Sequence, residues 1–349
     1  MQEIYPDYYA RFSCLAGACP DTCCKDWEVA VDTDTAALYR SLNGKLGCRI
    51  RDALVTDEDG DLVLRHEAGA CPLLDRESGL CSVQSALGHG ALCRVCREYP
   101  RLTQDFTSFR EHSLSLSCPE AARLILTAPN LPELRAEGRR DDLPVDYDLE
   151  DLALLERTRQ AMFRFLAVRA LPISRRIGLC LLLAEQAQAL LDGDAPAPFD
   201  PEAALEKLPP RQEAPWKELL DFYLELDILL PKWRRLLECA AALPPENLSQ
   251  DDPLEKYPQE FANLFFDGVY RELLCAVADF DLLPRVKAAA LSCALSRMLI
   301  HMGGDADRLE VHRLYAKEIT HCSSNHDALL DACCPGGIFS TSDVLSLLF

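Results

Sequence analysis

Ten of the chain's 17 cysteines fall within its first 118 residues, at Cys14, Cys19, Cys23, Cys24, Cys48, Cys71, Cys81, Cys93, Cys96 and Cys118. Thiols at this density either cross-link or hold a metal, and both outcomes impose closed loops on the chain. The opening stretch MQEIYPDYYARFSC lacks the basic and apolar regions of a secretory leader, so a reducing, cytoplasmic location is expected. A disulfide framework is not expected there, and the odd number of cysteines argues the same way. Metal ligation by thiolates is therefore the leading expectation.

The spacing sharpens it. Cys14-x4-Cys19-x3-Cys23-Cys24 is followed by Cys71, Cys81, Cys93-x2-Cys96 and Cys118. Thiolates are soft ligands that select zinc, copper(I) or iron–sulfur clusters, and four of them complete a tetrahedral or cubane site. The adjacent Cys23 and Cys24 point in different directions on any regular backbone, so they serve two sites, or one ligates while the other packs. Histidine is scarce, with only His66, His89 and His112 before Cys118, which tilts the choice toward all-thiolate ligation. Arg94, Arg97 and Arg101 surround Cys93 and Cys96, where guanidinium groups would stabilise a negatively charged centre. The alternative is that these arginines pair with surface carboxylates. Cys118 is expected at a helix N-terminus, which favours its thiolate.

The later cysteines read differently. Cys180, Cys239, Cys275 and Cys293 sit in apolar helical patterns where an alanine would serve, and core packing is expected for them. With His312 nearby, His321-Cys322-x3-His326-x6-Cys333-Cys334 has zinc-ligand chemistry, although Pro335-Gly-Gly337 favours a surface loop.

At 349 residues the chain is long enough for two domains, placed at 1–130 and 147–349. The first reads as short irregular elements. Residues 27–31 alternate like a strand, Asp32-Thr-Asp-Thr35 caps a helix running to about Leu42, and Asp59-Gly60 turns before Leu62-Val-Leu64. Ser78-Gly79 makes a turn between Cys71 and Cys81, and Ser117-Cys-Pro-Glu120 has capping-box spacing for a helix through Leu126. From 147 onward the apolar pattern is helical, with long helices expected near 152–165 and 177–191 and two packed helices in 261–300, Pro284 near their junction. Breaks rich in proline and acidic residues fall at 128–147, 192–215 and 243–258. The expected fold is mainly α, a small irregular α+β cysteine module followed by a helical bundle. A net charge of −20 argues against nucleic acid as a partner, and the longest apolar run, near 177–183, is too short to span a membrane.

Three stretches resemble the flagellin lysine-N-methylases, the FliB-like proteins of a wider cysteine-cluster group. They are PDYYARFSCLAGACPDTCCKDWEVAVD, CPLLDRESGLCSVQSALGHGALCRVCREYPR and LSLSCPEAARLIL, together covering about residues 4–126. A weaker likeness runs through YPQEFANLFFDGVYRELL. The resemblance implies a 4Fe-4S cluster, zinc being the alternative, and S-adenosylmethionine-dependent methylation of lysines on flagellin or a similar surface protein. It carries the family's cysteines onto Cys14, Cys19, Cys23, Cys24, Cys71, Cys81, Cys96 and Cys118, while Cys48 and Cys93 look like additions.

The residues alone do not announce methyl transfer. No glycine fingerprint of a Rossmann methyltransferase follows a strand, and Gly303-Gly304 lacks that context. Cys19-x3-Cys23 begins a radical-type triplet, but its third position is Asp26. Lysine methylation needs a neutral amine, a positioned sulfonium and a surface attractive to a basic substrate. Tyr99, Asp75 and Glu98 are the candidate bases, and Trp27 a candidate wall of the site; each also suits a purely structural role. The rival reading is a non-enzymatic zinc- or iron-chelating module carrying a helical protein-interaction platform. A pocket beside the thiols, lined by Arg94, Arg97, Arg101 or Tyr99, would separate the two.

Overall fold

The computed structural model describes residues 1–25, 29–57, 60–66, 69–141, 143–210, 214–242, 252–303 and 308–349. The chain is mainly α, with small sheets near its start. The helix Leu282–Gly303 is the axis of the helical body. It is apolar on every side, so neighbours cover all of it: Pro258–Glu272, Ile173–Leu191, Ser323–Cys333 and Thr341–Leu348. Its few charges are used at the ends of other helices. Lys287 donates to the carbonyls of Cys333 and Phe339 at 2.9 Å each. Arg297 pairs with Asp252 at 2.7 Å and donates to the Leu347 carbonyl at 3.0 Å. Unsatisfied C-terminal carbonyls and buried cations thus compensate one another. Among the described residues, no helix is long and apolar enough to cross a membrane.

Among the described residues the strands are β1 (Gln2–Pro6), β2 (Val29–Ala30), β3 (Leu54–Thr56), β4 (Leu62–Leu64), β5 (Arg101–Asp105), β6 (Phe109–Leu114) and β7 (Leu134–Glu137). They form a four-stranded sheet in the order β5-β6-β1-β7 and a three-stranded sheet in the order β2-β4-β3. β1 runs parallel to β6 and antiparallel to β7, and β5 and β6 form a hairpin. β6 escapes a hydrophobic-pattern reading because its buried alternation is Phe109, Glu111, Ser113. Glu111 faces the core because Arg159, from the helix Leu149–Leu166, meets it in a two-pronged pair at 2.7 and 2.6 Å. Arg159 also donates to the Tyr270 carbonyl at 3.2 Å, so one buried cation ties the sheet to two helices.

Two apolar cores result. The smaller gathers Val29, Tyr39, Ile50, Leu64, Leu73 and Val83 with Cys71 and Cys93, and Cys24, Cys81 and Cys96 pack against it. The larger takes in Tyr8, Phe12, Phe109, Leu116, Cys118 and Ile125 together with the helices that follow Leu149. The large sheet and the helix Pro119–Leu126 therefore pack with the helical body.

The Asp32 cap is present, its carboxylate accepting from the Thr35 N–H at 3.0 Å, and the helix it starts ends at Ser41. The break at 128–147 contains β7, and that at 192–215 contains the helix Pro201–Lys207. Pro284 lies in the first turn of its helix, where its missing N–H costs nothing. Cys180 and Cys293 are buried as expected, Cys275 is half-buried, and Cys239 is exposed on the helix Pro231–Ala242. Trp27, Asp59, Gly304 and most of the 243–258 break lie outside the described residues.

Removing one partner of the Glu111–Arg159 pair would strand a charge whose side chain is only 6% exposed. Glu111→Ala should cost about 3–5 kcal/mol of unfolding free energy, read by denaturant titration. A loss below about 1 kcal/mol would show that the sheet does not depend on this pair.

Candidate active-site cavity

The cysteine-bearing loop begins with the short 3-10 turn Ala16–Ala18, between Cys14 and Cys19. Gly17 is required there, because a Cβ would lie 2.7 Å from the Ser78 carbonyl. The turn at 75–79 thus presses on the loop. Asp75 shapes that turn, its carboxylate accepting from the Ser78 N–H and hydroxyl, each at 2.8 Å. Cys24 is fixed through its carbonyl, which accepts from the Cys71 N–H at 2.8 Å. Cys81, Cys93 and Cys118 each occupy the residue immediately before a helix.

The thiols fall into two neighbourhoods. Cys14, Cys19, Cys23 and Cys118 act electrostatically on one another. Cys24, Cys71, Cys81, Cys93 and Cys96 do the same around the smaller core. Two sulfur pairs are hydrogen-bonded, Cys23 with Cys24 across the two neighbourhoods and Cys93 with Cys96 within the second, and the bond lowers the Cys24 and Cys93 thiols. Burial pushes Cys118 up against the opposing pull of the first-turn N–H groups of Ala121 and Glu120. Soft thiolates in these groupings suit an all-thiolate centre in kind. In this conformation no three His, Cys, Asp or Glu side chains among the described residues are placed to hold a metal ion.

Beside the first thiol neighbourhood lies a cavity of about 440 Å³. One wall is Asp21, Cys23, Tyr99 and Ser117; the other is Asp227, Lys317, Glu318 and His321. Asp21 joins the walls, pairing with Arg313 and, at 2.7 Å, with Lys317. Burial alone would raise the Asp21 carboxyl, but the two cations outweigh it and hold it below the ordinary carboxylate range. Lys317 and Glu318 come from a π-helical turn, Ala316–Thr320, whose wider winding delivers neighbouring side chains to one cavity. The Glu318 carboxylate accepts from the Leu229 and Leu230 N–H groups at 2.9 and 2.8 Å, and burial raises its pKa.

His321 closes the floor. Its Nε2 lies 2.8 Å from the Ser115 hydroxyl and 2.7 Å from that of Ser117, which is 2.9 Å from the Tyr99 hydroxyl. Burial first, then the charges of Arg271 and Lys317, lower His321 to about 4, so the ring is neutral at physiological pH. Tyr99 is pushed well above its ordinary value, chiefly by burial, and keeps its proton. Ser117 does not cap the following helix as the spacing suggested; Cys118 takes that position, and Ser117 turns instead to His321 and Tyr99.

Of the residues singled out in the sequence, the cavity brings together Cys23 and Tyr99 with His321 and Cys322 of the late Cys/His region. The other candidates lie elsewhere. Arg94 is exposed, Arg97 donates to the Leu92 carbonyl at 3.3 Å, and Arg101 lies over the Phe12 and Tyr9 rings at 5.0 and 5.8 Å. Glu98 is exposed, and Asp75 is occupied by its own turn. The late His/Cys region is helical and its members diverge. His312 bonds Ser296 and Glu260 at 3.1 Å each, His326 approaches Glu272 at 3.8 Å, and Cys333 is buried. Asp21, Asp227, Lys317 and Glu318 carry no local motif, and only the π-helical turn and the loop contact reveal them.

Asp21→Ala would leave Arg313 and Lys317 facing each other and release the cysteine loop. The thiols of Cys19 and Cys23 should then react at least about tenfold faster with a disulfide reagent, an opening worth about 1.4 kcal/mol. Since Asp21 titrates below the ordinary carboxylate range, its contribution is complete at neutral pH and is lost as pH falls through that depressed value. Unchanged thiol reactivity would show that the ion pair does not hold the loop.

No family model matches the chain, and no solved structure matches it. It is 35% identical over 139 residues to a lysine-N-methylase of Salmonella typhimurium strain LT2, a match covering 37% of this chain and 34% of that protein. A lysine-N-methylase of Salmonella choleraesuis strain SC-B67 is 34% identical over the same length and is also covered to 34%. The match thus spans about a third of these lysine-N-methylases. The flagellar biosynthetic protein FliU of Salmonella muenchen is 34% identical over 139 residues, and there the match covers 82% of the protein. With that much of a relative accounted for, the chain belongs to the lysine-N-methylase/FliU family.

Proposed function

We propose that the chain is a protein-lysine N-methyltransferase that uses S-adenosylmethionine on flagellin or a similar surface protein, and that the cavity beside Cys23 is where transfer occurs. The observation that carries this reading is the cavity itself, a mostly apolar chamber edged by charged and hydrogen-bonding side chains between the thiol loop and a π-helical turn. A closed thiol module serving only as a scaffold has no use for such a chamber. The lysine-N-methylase relatives support the reaction class.

The cavity groups take distinct roles. Asp227, exposed at its edge, and Glu318, within it, attract the substrate ammonium. Inside, lost solvent and the charge of Lys317 favour release of the ammonium proton. Glu318, raised by burial, is the proton acceptor best matched to neutral pH. The freed amine lone pair attacks the sulfonium methyl; the carbon–sulfur bond breaks and its electron pair stays on sulfur. The protonated phenol of Tyr99 and the neutral His321–serine network orient the reactants by hydrogen bonding. Four of the thiols Cys14, Cys19, Cys23, Cys24, Cys71, Cys81, Cys96 and Cys118 would hold a 4Fe-4S cluster, with zinc the alternative. A centre bound there would supply a negatively charged, polarisable wall to the cavity.

The test is incubation with isotopically labelled S-adenosylmethionine and flagellin, followed by mass spectrometry of lysine residues. Methyllysine should form, and Glu318→Gln should lower kcat by about 100-fold or more with little change in the melting temperature. Absence of methyllysine with folded, metal-loaded wild-type protein would end the proposal. A Glu318→Gln loss below about threefold would remove that residue from proton transfer.

A further inference from the structure

On the other side of Asp21 and Lys317 lies a second pocket, of about 620 Å³, between the cysteine loop and the helices Pro231–Ala242 and Arg308–Tyr315. Asp21 and Lys317 are walls of both pockets. Its charge is opposite to the chain's. Lys232, Arg235, Arg313 and Lys317 face only two carboxylates, Asp21 and Glu310, in a protein of net charge −20. The carboxylates are already engaged: Glu310 with Lys232 at 3.2 Å and with Arg313, Asp21 with Lys317 at 2.7 Å and with Arg313. The cationic excess reaches solvent at Arg235 and at Lys232, which shares Glu310 with Arg313; both are exposed on one helix at the groove's edge.

We infer that this groove receives acidic side chains flanking the acceptor lysine of the polypeptide substrate, an assignment that rests on the methyltransferase reading of the adjoining cavity. A lysine entering between Glu318 and Asp227 leaves its neighbours along the chain beside the shared Asp21–Lys317 wall. Positive charge there selects substrates whose lysine sits in acidic sequence, and the carboxylates of the first cavity select the lysine itself. Exposed, flexible cations at a rim suit a peptide that arrives and leaves, because such contacts steer encounter while contributing modestly to affinity. The methyl donor's own carboxylate is the competing occupant, and the experiment separates the two.

Two labelled peptides are compared by fluorescence anisotropy, each with one central lysine, one with flanking glutamates and the other with glutamines. The wild-type chain should bind the acidic peptide about three to tenfold more tightly, and the advantage should shrink as salt is raised. Arg235→Glu and Lys232→Glu should erase it, and a peptide with lysine flanks should gain affinity for Arg235→Glu. Equal binding of both peptides by wild type, or an acidic preference that survives both substitutions, would overturn the inference. A raised KM for S-adenosylmethionine in Arg235→Glu with the peptide preference intact would give the groove to the donor and also overturn it. Binding is read without turnover, so a chain that prefers the acidic peptide yet transfers no methyl would sustain the groove and sink the methyltransferase reading.

Discussion

Asp21 is the contact on which the site depends. From the cysteine loop it reaches Arg313 and Lys317, and Arg313 also holds Glu310 and donates to the Ser117 carbonyl at 3.4 Å. One guanidinium therefore ties the cysteine loop, the segment before the Pro119–Leu126 helix and its own helix. A charge cluster this shielded from solvent is held more firmly than a surface pair, because removing any member leaves partly buried charge uncompensated. The cavity exists because this contact sets the thiol loop at a fixed distance from the helical body. The charge that holds the loop also divides the acidic chamber from the cationic groove.

The π-helical turn Ala316–Thr320 is the second constraint. Lys317 and Glu318 on this turn and His321 just after it all reach the cavity, with Glu318 satisfied by two backbone N–H groups and His321 by two serine hydroxyls. Such turns cost hydrogen-bond geometry and persist where function uses them. Protonated Tyr99 and a raised Glu318 follow chiefly from one physical cause, removal of water from their surroundings.

Much of the fold was legible because it rests on local chemistry. The Asp32 cap, the apolar axis near Leu282–Gly303 and the helices after Leu149 all follow from short-range pattern. β6 was not, because its buried face carries Glu111, whose partner Arg159 is 48 residues away. The thiol groups were visible as spacing, and Cys23 and Tyr99 emerged as site residues. The opposite wall was hidden. His321 reads locally as part of a metal-like Cys/His cluster, yet it meets Ser115 and Ser117 across more than 200 residues of chain. Arg94, Arg97 and Arg101 were drawn to the cysteines by sequence proximity, but packing on rings and backbone carbonyls takes two of them elsewhere and Arg94 faces solvent.

In the proposed reaction S-adenosylmethionine and substrate meet in the chamber between the thiol loop and the π-helical turn. Hydrogen exchange with and without S-adenosylmethionine tests it directly, since bound ligand slows local opening where it makes contact. Exchange should slow in residues 226–230 and 316–322 together with the segment around Tyr99, with little change in the distant helix Leu149–Leu166. Protection confined to other parts of the chain, or none at saturating S-adenosylmethionine, would contradict it.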